Sequence, residues 1–337
     1  MKGTATRLRP LGLLFILLCC LVLPSVAQLY SVTDLGVLPG GTFSEANGIN
    51  SLGQVVGDGD LSTQNGHAFL WTKERGLQDL GTLPGGNSWG EAVNDRGHVT
   101  GGSWINEADN AAILWTPQKG MQELFDVHDA PGGLAINDLD QVAGTATLFG
   151  GFVWGIDGLS YLTTPLGEVT QATGVNDSRQ VVGSYIGEDG PQAFLWTEAS
   201  GVEDLGGGSA NAINPIGNVV GENSANHAFV WSKRDGMQDL GTLPGDTYSG
   251  ALAINLWGMV VGRSDSNTAA RAFLWTPWTG MQDLNTLIPA DSGWNLIQAT
   301  GVNVLGQIVG DGYVNGQPHG FLLTLQGWLG AEKGAAR

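Results

Sequence analysis

Glu45-Ala46-Asn47-Gly48-Ile49-Asn50-Ser51-Leu52-Gly53-Gln54-Val55-Val56-Gly57 is the stretch whose reading decides the fold. Its frame is an Asn followed seven residues later by a Gly. The same frame recurs as Asn94 and Gly101, Asn137 and Gly144, Asn176 and Gly183, Asn214 and Gly221, Asn255 and Gly262, and Asn303 and Gly310. In five of the seven units a second Gly stands three residues after the Asn, as Gly53, Gly97, Gly217, Gly258 and Gly306. Asn first and Gly fourth are preferences of a type I turn, and Pro215 stands second, where Pro presets φ. Asp140 and Arg179 take the fourth position in the other two units, where the fit is expected to be poorer. The repeated Asn therefore reads as a turn residue and not as a ligand.

Working outward, each frame is followed by a second beat, as in His67-Ala68-Phe69-Leu70-Trp71 and His227-Ala228-Phe229-Val230-Trp231. Phe69, Phe152, Phe194, Phe229, Phe273 and Phe321 share one slot, with Ile113 in the second unit. Trp71, Trp115, Trp154, Trp196, Trp231 and Trp275 share the slot two residues on, with Leu323 in the last unit. A spacing of two puts both slots on one side of a strand. That side is expected to be buried against the neighbouring repeat, so these six Trp read as core and not as sugar platforms.

Each unit thus divides into four short strands, a to d, separated by Gly-rich turns, with no sustained helical period. Successive Asn residues are 44, 43, 39, 38, 41 and 48 residues apart. Four antiparallel strands in that length make the blade of a β-propeller. Before the first unit stands an orphan strand d, Tyr30 to Gly36, while the last unit stops after its strand c, His319 to Leu325. The fold class expected is all-β, a seven-bladed β-propeller with a closing blade shared between the N- and C-terminal strands. Its blade units lie near 45–81, 90–124, 133–162, 171–205, 209–240, 250–284, and 298–325 joined by 29–36. Closure would remove the exposed sheet edges of an open array.

The phrases Asp239-Leu240-Gly241-Thr242-Leu243-Pro244-Gly245, Ala253-Ile254-Asn255 and His67-Ala68-Phe69-Leu70-Trp71 resemble those of the bacterial extracellular HAF-repeat proteins. The resemblance spans nearly all of the mature chain and implies export and repeat architecture. It brings no catalytic residues with it. The His of the motif survives only as His67, His227 and His319; Ala111, Gly150, Gln192 and Arg271 hold its slot elsewhere.

The N-terminus reads as an export signal over residues 1–27. Lys2, Arg7 and Arg9 give a basic start, Leu11 to Leu23 an apolar run, and Ser25-Val26-Ala27 a small-x-small cleavage site. The expected localisation is secreted, with periplasmic or surface-attached retention as variants. Both cysteines, Cys19 and Cys20, lie inside the signal, so the mature propeller, 28–326, has no disulfide. Residues 327–337 read as a disordered tail. The mature chain has 11 Lys and Arg against 32 Asp and Glu, a formal charge of −21. That argues against nucleic acid or an anionic membrane as partner. No second apolar run offers a membrane span, and a monomer is expected.

No catalytic string is present: no His-Glu-x-x-His, no Gly-x-Ser-x-Gly, no phosphate loop. His98 sits in a turn and His128 in a loop, neither with a partner in sequence. No cofactor is expected, with a bound Ca²⁺ at Asp58-Gly59-Asp60 as the one alternative. Asp58-Gly59-Asp60 has the alternating carboxylates of some Ca²⁺ loops but lacks the ligands that follow.

The remaining signal is aromatic residues outside the repeat register. Phe43, Trp89, Tyr248 and Trp294 fall in d-to-a connections, and Trp104, Tyr185 and Tyr313 in or beside b-to-c loops. All but Tyr185 come from units six, seven, one and two, with Asp58 and Asp60 among them. Aromatic faces beside carboxylates suit sugar rings. The ligand-binding set expected is Phe43, Trp89, Trp104, Tyr248, Trp294, Tyr313, Asp58 and Asp60. The function expected is a secreted, non-catalytic binding or scaffold module for an extracellular glycan or cell-surface protein. Two alternatives stand beside it: a polysaccharide-active hydrolase or lyase using loop-face carboxylates, and an acidic platform for basic proteins.

Overall fold

The computed structural model describes residues 29–62, 65–125, 132–164, 166, 168–266 and 268–326. The signal reading at 1–27, the tail at 327–337 and His128 lie outside the described residues. The described chain is an all-β propeller with 27 strands and one short 3₁₀ helix, Leu284–Thr286. In each unit strand a lies innermost and b, c and d follow outward by antiparallel pairing.

Strand pairing corrects the expectation of seven discrete blades. Five four-stranded sheets stand separately, and the fourth and fifth repeat units run together in one seven-stranded sheet. The cause is local. Strand d of unit four and strand a of unit five are one continuous strand, Gly201–Ile213, between the two most closely spaced Asn residues. Gly206 (φ 112°) and Gly208 (φ 131°) take conformations closed to other residues, so the chain crosses from the outer to the inner edge without a loop.

In the closing sheet, Tyr30–Asp34 pairs with Gln317–Leu325, followed inward by Ile308–Val314 and Trp294–Val302. Tyr30 is fully buried there.

The core lies between the faces of adjacent sheets. Val56 and Leu70 of unit one, for example, pack with Val99, Ile113 and Trp115 of unit two. Every member of the Phe slot, Ile113 included, is fully buried, each Phe contributing ~1.5–3 kcal/mol. Trp71, Trp115, Trp231 and Trp275 are buried, while Trp154 and Trp196 are half-buried.

The Gly that ends each frame has a steric cause. A Cβ on Gly57 would stand 1.8 Å from the carbonyl oxygen of Glu45 and 2.9 Å from the Phe69 ring. The six equivalent glycines meet the same strand-a carbonyl at 2.0–2.1 Å. Strands a and b approach so closely that no side chain fits between them.

Candidate functional site

The inner strands line a central channel, and its two mouths are built differently. At the turn mouth each Asn does two jobs. Its Oδ1 accepts from backbone N–H groups of its own turn, as Asn50 does from Leu52 (3.1 Å) and Gln54 (2.9 Å). Its Nδ2 donates to the backbone carbonyl of the next unit's Asn. These bonds, 2.9–3.1 Å long, run from Asn50 to Asn94, Asn137, Asn176, Asn214, Asn255 and Asn303, and from Asn303 back to Asn50. The turn residue is also the hoop that joins the units.

The loop mouth is irregular. Five residues before the Asn, strand a presents Glu45, Trp89 and Gln298 in units one, two and seven, which are consecutive in the closed ring. Eight residues after the Asn, strand b places Asp58, Gly102 and Asp311 behind them. Asp311 is buried: its Oδ1 accepts from Ala46 N of the next unit (2.8 Å), its Oδ2 from Gln298 Nε2 (2.7 Å). Asp58 Oδ1 accepts from Asn47 Nδ2 (3.0 Å), which also donates to Gly90 O of unit two (2.9 Å).

Burial pushes both acids up to about 7. For Asp58, repulsion from Glu45 adds to it, the Asn47 hydrogen bond opposes it, and Glu91 and Asp311 raise it further. For Asp311, the bonds from Gln298 and Ala46 oppose burial and Glu45 reinforces it. Glu91 is raised by burial and then by Glu45. Four carboxyl groups from three units therefore act on one another, and no cation among the described residues offsets them.

Trp89 belongs to the same mouth. A Cβ on Gly102 would lie 2.1 Å from Cζ2 of its indole, so the ring is bedded on bare backbone where units one and seven carry Asp58 and Asp311. The mouth thus joins one half-buried indole, four carboxyl groups and the amides of Asn47 and Gln298.

Of the expected site residues, Asp58 and Trp89 belong to this mouth; the others lie elsewhere. Asp60 ties down its own d-to-a loop, accepting from Thr42 N (2.6 Å), Phe43 N (2.9 Å) and Thr42 Oγ1 (2.8 Å). Those bonds outweigh desolvation and hold it below the usual carboxylate range. Phe43 is pinned by that clamp. Trp104 is held in the second unit's loop by backbone bonds to Gly85 and Asn87. Trp294 meets Phe321 edge-on at 5.9 Å and packs on the core of the closing sheet.

Tyr248 Oη donates to Glu222 in the neighbouring unit (2.7 Å), and burial with that carboxylate pushes it up to about 12. Tyr185 is buried, and Tyr313 is exposed on its hairpin. The aromatic sector is therefore not one continuous surface.

Glu45 and Glu91 were not visible as site residues, because each strand a carries a bulge. Pairing shifts between Ala46 and Gly48 and between Gly90 and Ala92, so inward positions cannot be counted by twos. The signal that could find them is the register to the Asn itself, five and three residues upstream.

The recurring His has a local explanation. His67, His227 and His319 Nδ1 meet Asp79, Asp239 and Asp34 of strand d at 2.9, 3.0 and 2.9 Å. Each Asp also accepts from the Gly two residues on. Arg271 and Asp283 fill the same positions at 3.2 Å. Among the described residues, no group of three or more His, Cys, Asp or Glu is placed to hold a metal ion, and no helix is long and apolar enough to cross a membrane.

No family model and no curated protein sequence matches the chain. Solved structures do match in fold. A streptogramin B lyase aligns over 88% of this chain and 98% of its own at 9% identity, TM-score 0.59. A catalytically inactive variant of virginiamycin B lyase from Staphylococcus aureus, solved with quinupristin, aligns over 88% and 100% at 10% identity, TM-score 0.59. The Dos1 propeller aligns over 87% and 95% at 12% identity, TM-score 0.51. At these identities the likeness defines the β-propeller class and carries no activity with it.

Proposed function

We propose that the mature chain is a secreted, non-catalytic binding module of HAF-repeat type that takes an extracellular glycan at the loop mouth over units seven, one and two. The observation that carries this reading is the Trp89 indole bedded on Gly102 beside Glu45, Asp58, Glu91 and Asp311. An indole face stacks on the apolar face of a pyranose, while carboxylates and amides accept and donate to its hydroxyls. Rigid inner strands hold the set in place, so little is lost to ordering on binding. Export rests on the 1–27 signal pattern, and recovery of processed chain beginning at Gln28 from the medium or periplasm tests it. Affinity electrophoresis through a panel of neutral and acidic polysaccharides tests the ligand class. Retardation by at least one polysaccharide, lost in Trp89→Ala, supports the reading; no retardation by any of them opposes it.

A second reading has its own support: Asp58 and Asp311, pushed up to about 7, are poised to give and take protons near neutrality. On that reading the module is a hydrolase or lyase, and incubation with a retarded polysaccharide releases reducing ends or unsaturated product. Release abolished by Asp311→Asn, with binding kept, would select the enzyme.

A further inference from the structure

The turn face, opposite the candidate site, has two unlike halves, apolar tips in four consecutive units and a carboxylate row in the other three, where Leu139 is the one apolar tip, 47% exposed. Two residues past the Asn, at the turn tip, Ile216, Trp257, Leu305 and Leu52 occupy four consecutive units, five to seven and one, and are 61–68% exposed. In units five to seven the residue before the tip continues the apolar half as Pro215, Leu256 and Val304; in unit one it is Ser51. A run of large exposed apolar side chains on this scale marks an interaction surface. Trp257 is also fixed: its Nε1 donates to Val304 O of the next unit at 2.9 Å, laying the indole across the unit boundary. An exposed aromatic already held in one orientation is the kind of anchor that dominates protein interfaces.

In the other half the residue after the Asn is Asp95, Asp138 and Asp177, in units two to four. Each accepts from the backbone N–H of the preceding unit's turn: Ser51 (2.9 Å), Asp95 (2.8 Å) and Asp138 (2.8 Å). The bonds hold the carboxylates in a row along the rim. Of the cations nearby, Arg96 is paired with Asp140 at 2.7 Å, and Arg179 stands exposed on the fourth turn. Burial, and then the like charges of Asp95 and Asp177 acting against the Asp95 amide bond, raise Asp138. Both halves surround the turn mouth, a hollow of about 220 Å³ lined by six of the seven Asn, with Ile213 and Pro215 standing for unit five.

We propose that the turn face docks an amphipathic basic segment of a partner protein, with apolar side chains on the Trp257 half and Lys or Arg side chains on the Asp138 half. The reading is independent of the glycan site. A second copy of this chain fits poorly, because a two-fold pairing of apolar on apolar also brings acid on acid. An anionic membrane is repelled by the carboxylate row.

The test uses the mature chain and a helical peptide of about 18 residues, or five turns, with a Leu face and a Lys face. Controls replace Lys by Gln or by Glu. Titration followed by calorimetry should show the Leu/Lys peptide binding about tenfold or more tighter than Leu/Gln, the Leu/Glu peptide not at all, and binding weakening with salt. Trp257→Ser, and separately Leu305→Ser, should each weaken it about tenfold. The triple variant Asp95→Asn, Asp138→Asn, Asp177→Asn should do the same and remove most of the salt dependence. Glu107→Gln with Glu188→Gln, on the loop face, should leave affinity within about twofold. Equal binding of Leu/Lys and Leu/Glu peptides, or equal losses in turn-face and loop-face variants, would overturn the proposal. So would a self-association broken by Trp257→Ser, or tighter binding to anionic vesicles than to the Leu/Lys peptide.

Discussion

The two mouths of the channel are made from the same inner strands, yet one is uniform and the other is not. At the turn mouth the same Asn stands in every unit, and its amide joins each unit to the next. At the loop mouth the register that holds Glu45 in unit one holds Trp89 in unit two, and the register that holds Asp58 and Asp311 holds Gly102 between them. What repeats is scaffold, because a ring needs the same joint at each boundary. Chemistry collects where the repeat is broken, because a ligand is not seven-fold symmetric.

If the uniform mouth is scaffold, damage to it should cost stability without touching binding. Deleting Leu29 to Leu35 removes the outer strand of the closing sheet and buried Tyr30. The loss should exceed about 5 kcal/mol, the lower end of a typical domain's stability, and abolish a cooperative melt. Near-unchanged melting of the truncated chain would show that closure is dispensable. Next in size, Asn303→Ala breaks the hoop at its closing joint, leaving the Asn50 carbonyl with Gly53 N alone, and strips two N–H groups of its own turn of their acceptor. An unfolding titration should show a loss of about 2–4 kcal/mol, with polysaccharide retardation unchanged in the folded fraction.

The irregular mouth should behave in the opposite sense. Asp58 and Asp311 titrate near 3.9 in an unfolded chain and at about 7 when folded. Folding therefore takes up protons between about pH 4 and 7, so this part of the stability falls as pH rises through that window and is constant above it. Asp58→Asn removes the ionisation but keeps an acceptor for Asn47. The variant should be more stable than wild type above pH 7, on the order of 2 kcal/mol, with the difference vanishing towards pH 4. A variant less stable at pH 8 would show that the ionised carboxylate is a structural partner instead.

The smallest effect concerns a departure within the uniform mouth. Asp140 and Arg179 hold the left-handed turn position at φ 60° and 59°. Asp140 has recompense, since its carboxylate accepts from Asn94, Arg96 and His98. Arg179 is exposed, so Arg179→Gly should stabilise by about 1 kcal/mol, read as a rise in Tm. No rise would mean that its side chain is held by contacts stronger than the strain.

The same division governs what could be read from the residues alone. The Phe slot, the closing strand and the Asn turns were legible because their periods are those of one strand or one turn. The hoop was not, because its acceptor lies 38–48 residues away along the chain, and 253 away at the closing joint, and becomes a neighbour only once the ring closes. The merging of units four and five was hidden by Gly206 to Gly208, which read as a loop but continue a strand. At the site, Asp58 and Trp89 stood out by type, whereas Glu45 and Glu91 were concealed by the bulge in strand a. Trp294 stood out by type as well, and it is half-buried, packed edge-on against Phe321 at the border of the closing sheet's core.

The central claim is that the broken register of units seven, one and two binds a ligand, and Trp89 tests it most directly. Retardation in polysaccharide gels should be compared for wild type, Trp89→Ala and Asn303→Ala, each verified folded by its melt. The account predicts that Trp89→Ala loses retardation while keeping most of its stability, and that folded Asn303→Ala keeps retardation while losing stability. Retardation undiminished in a folded Trp89→Ala protein would contradict it.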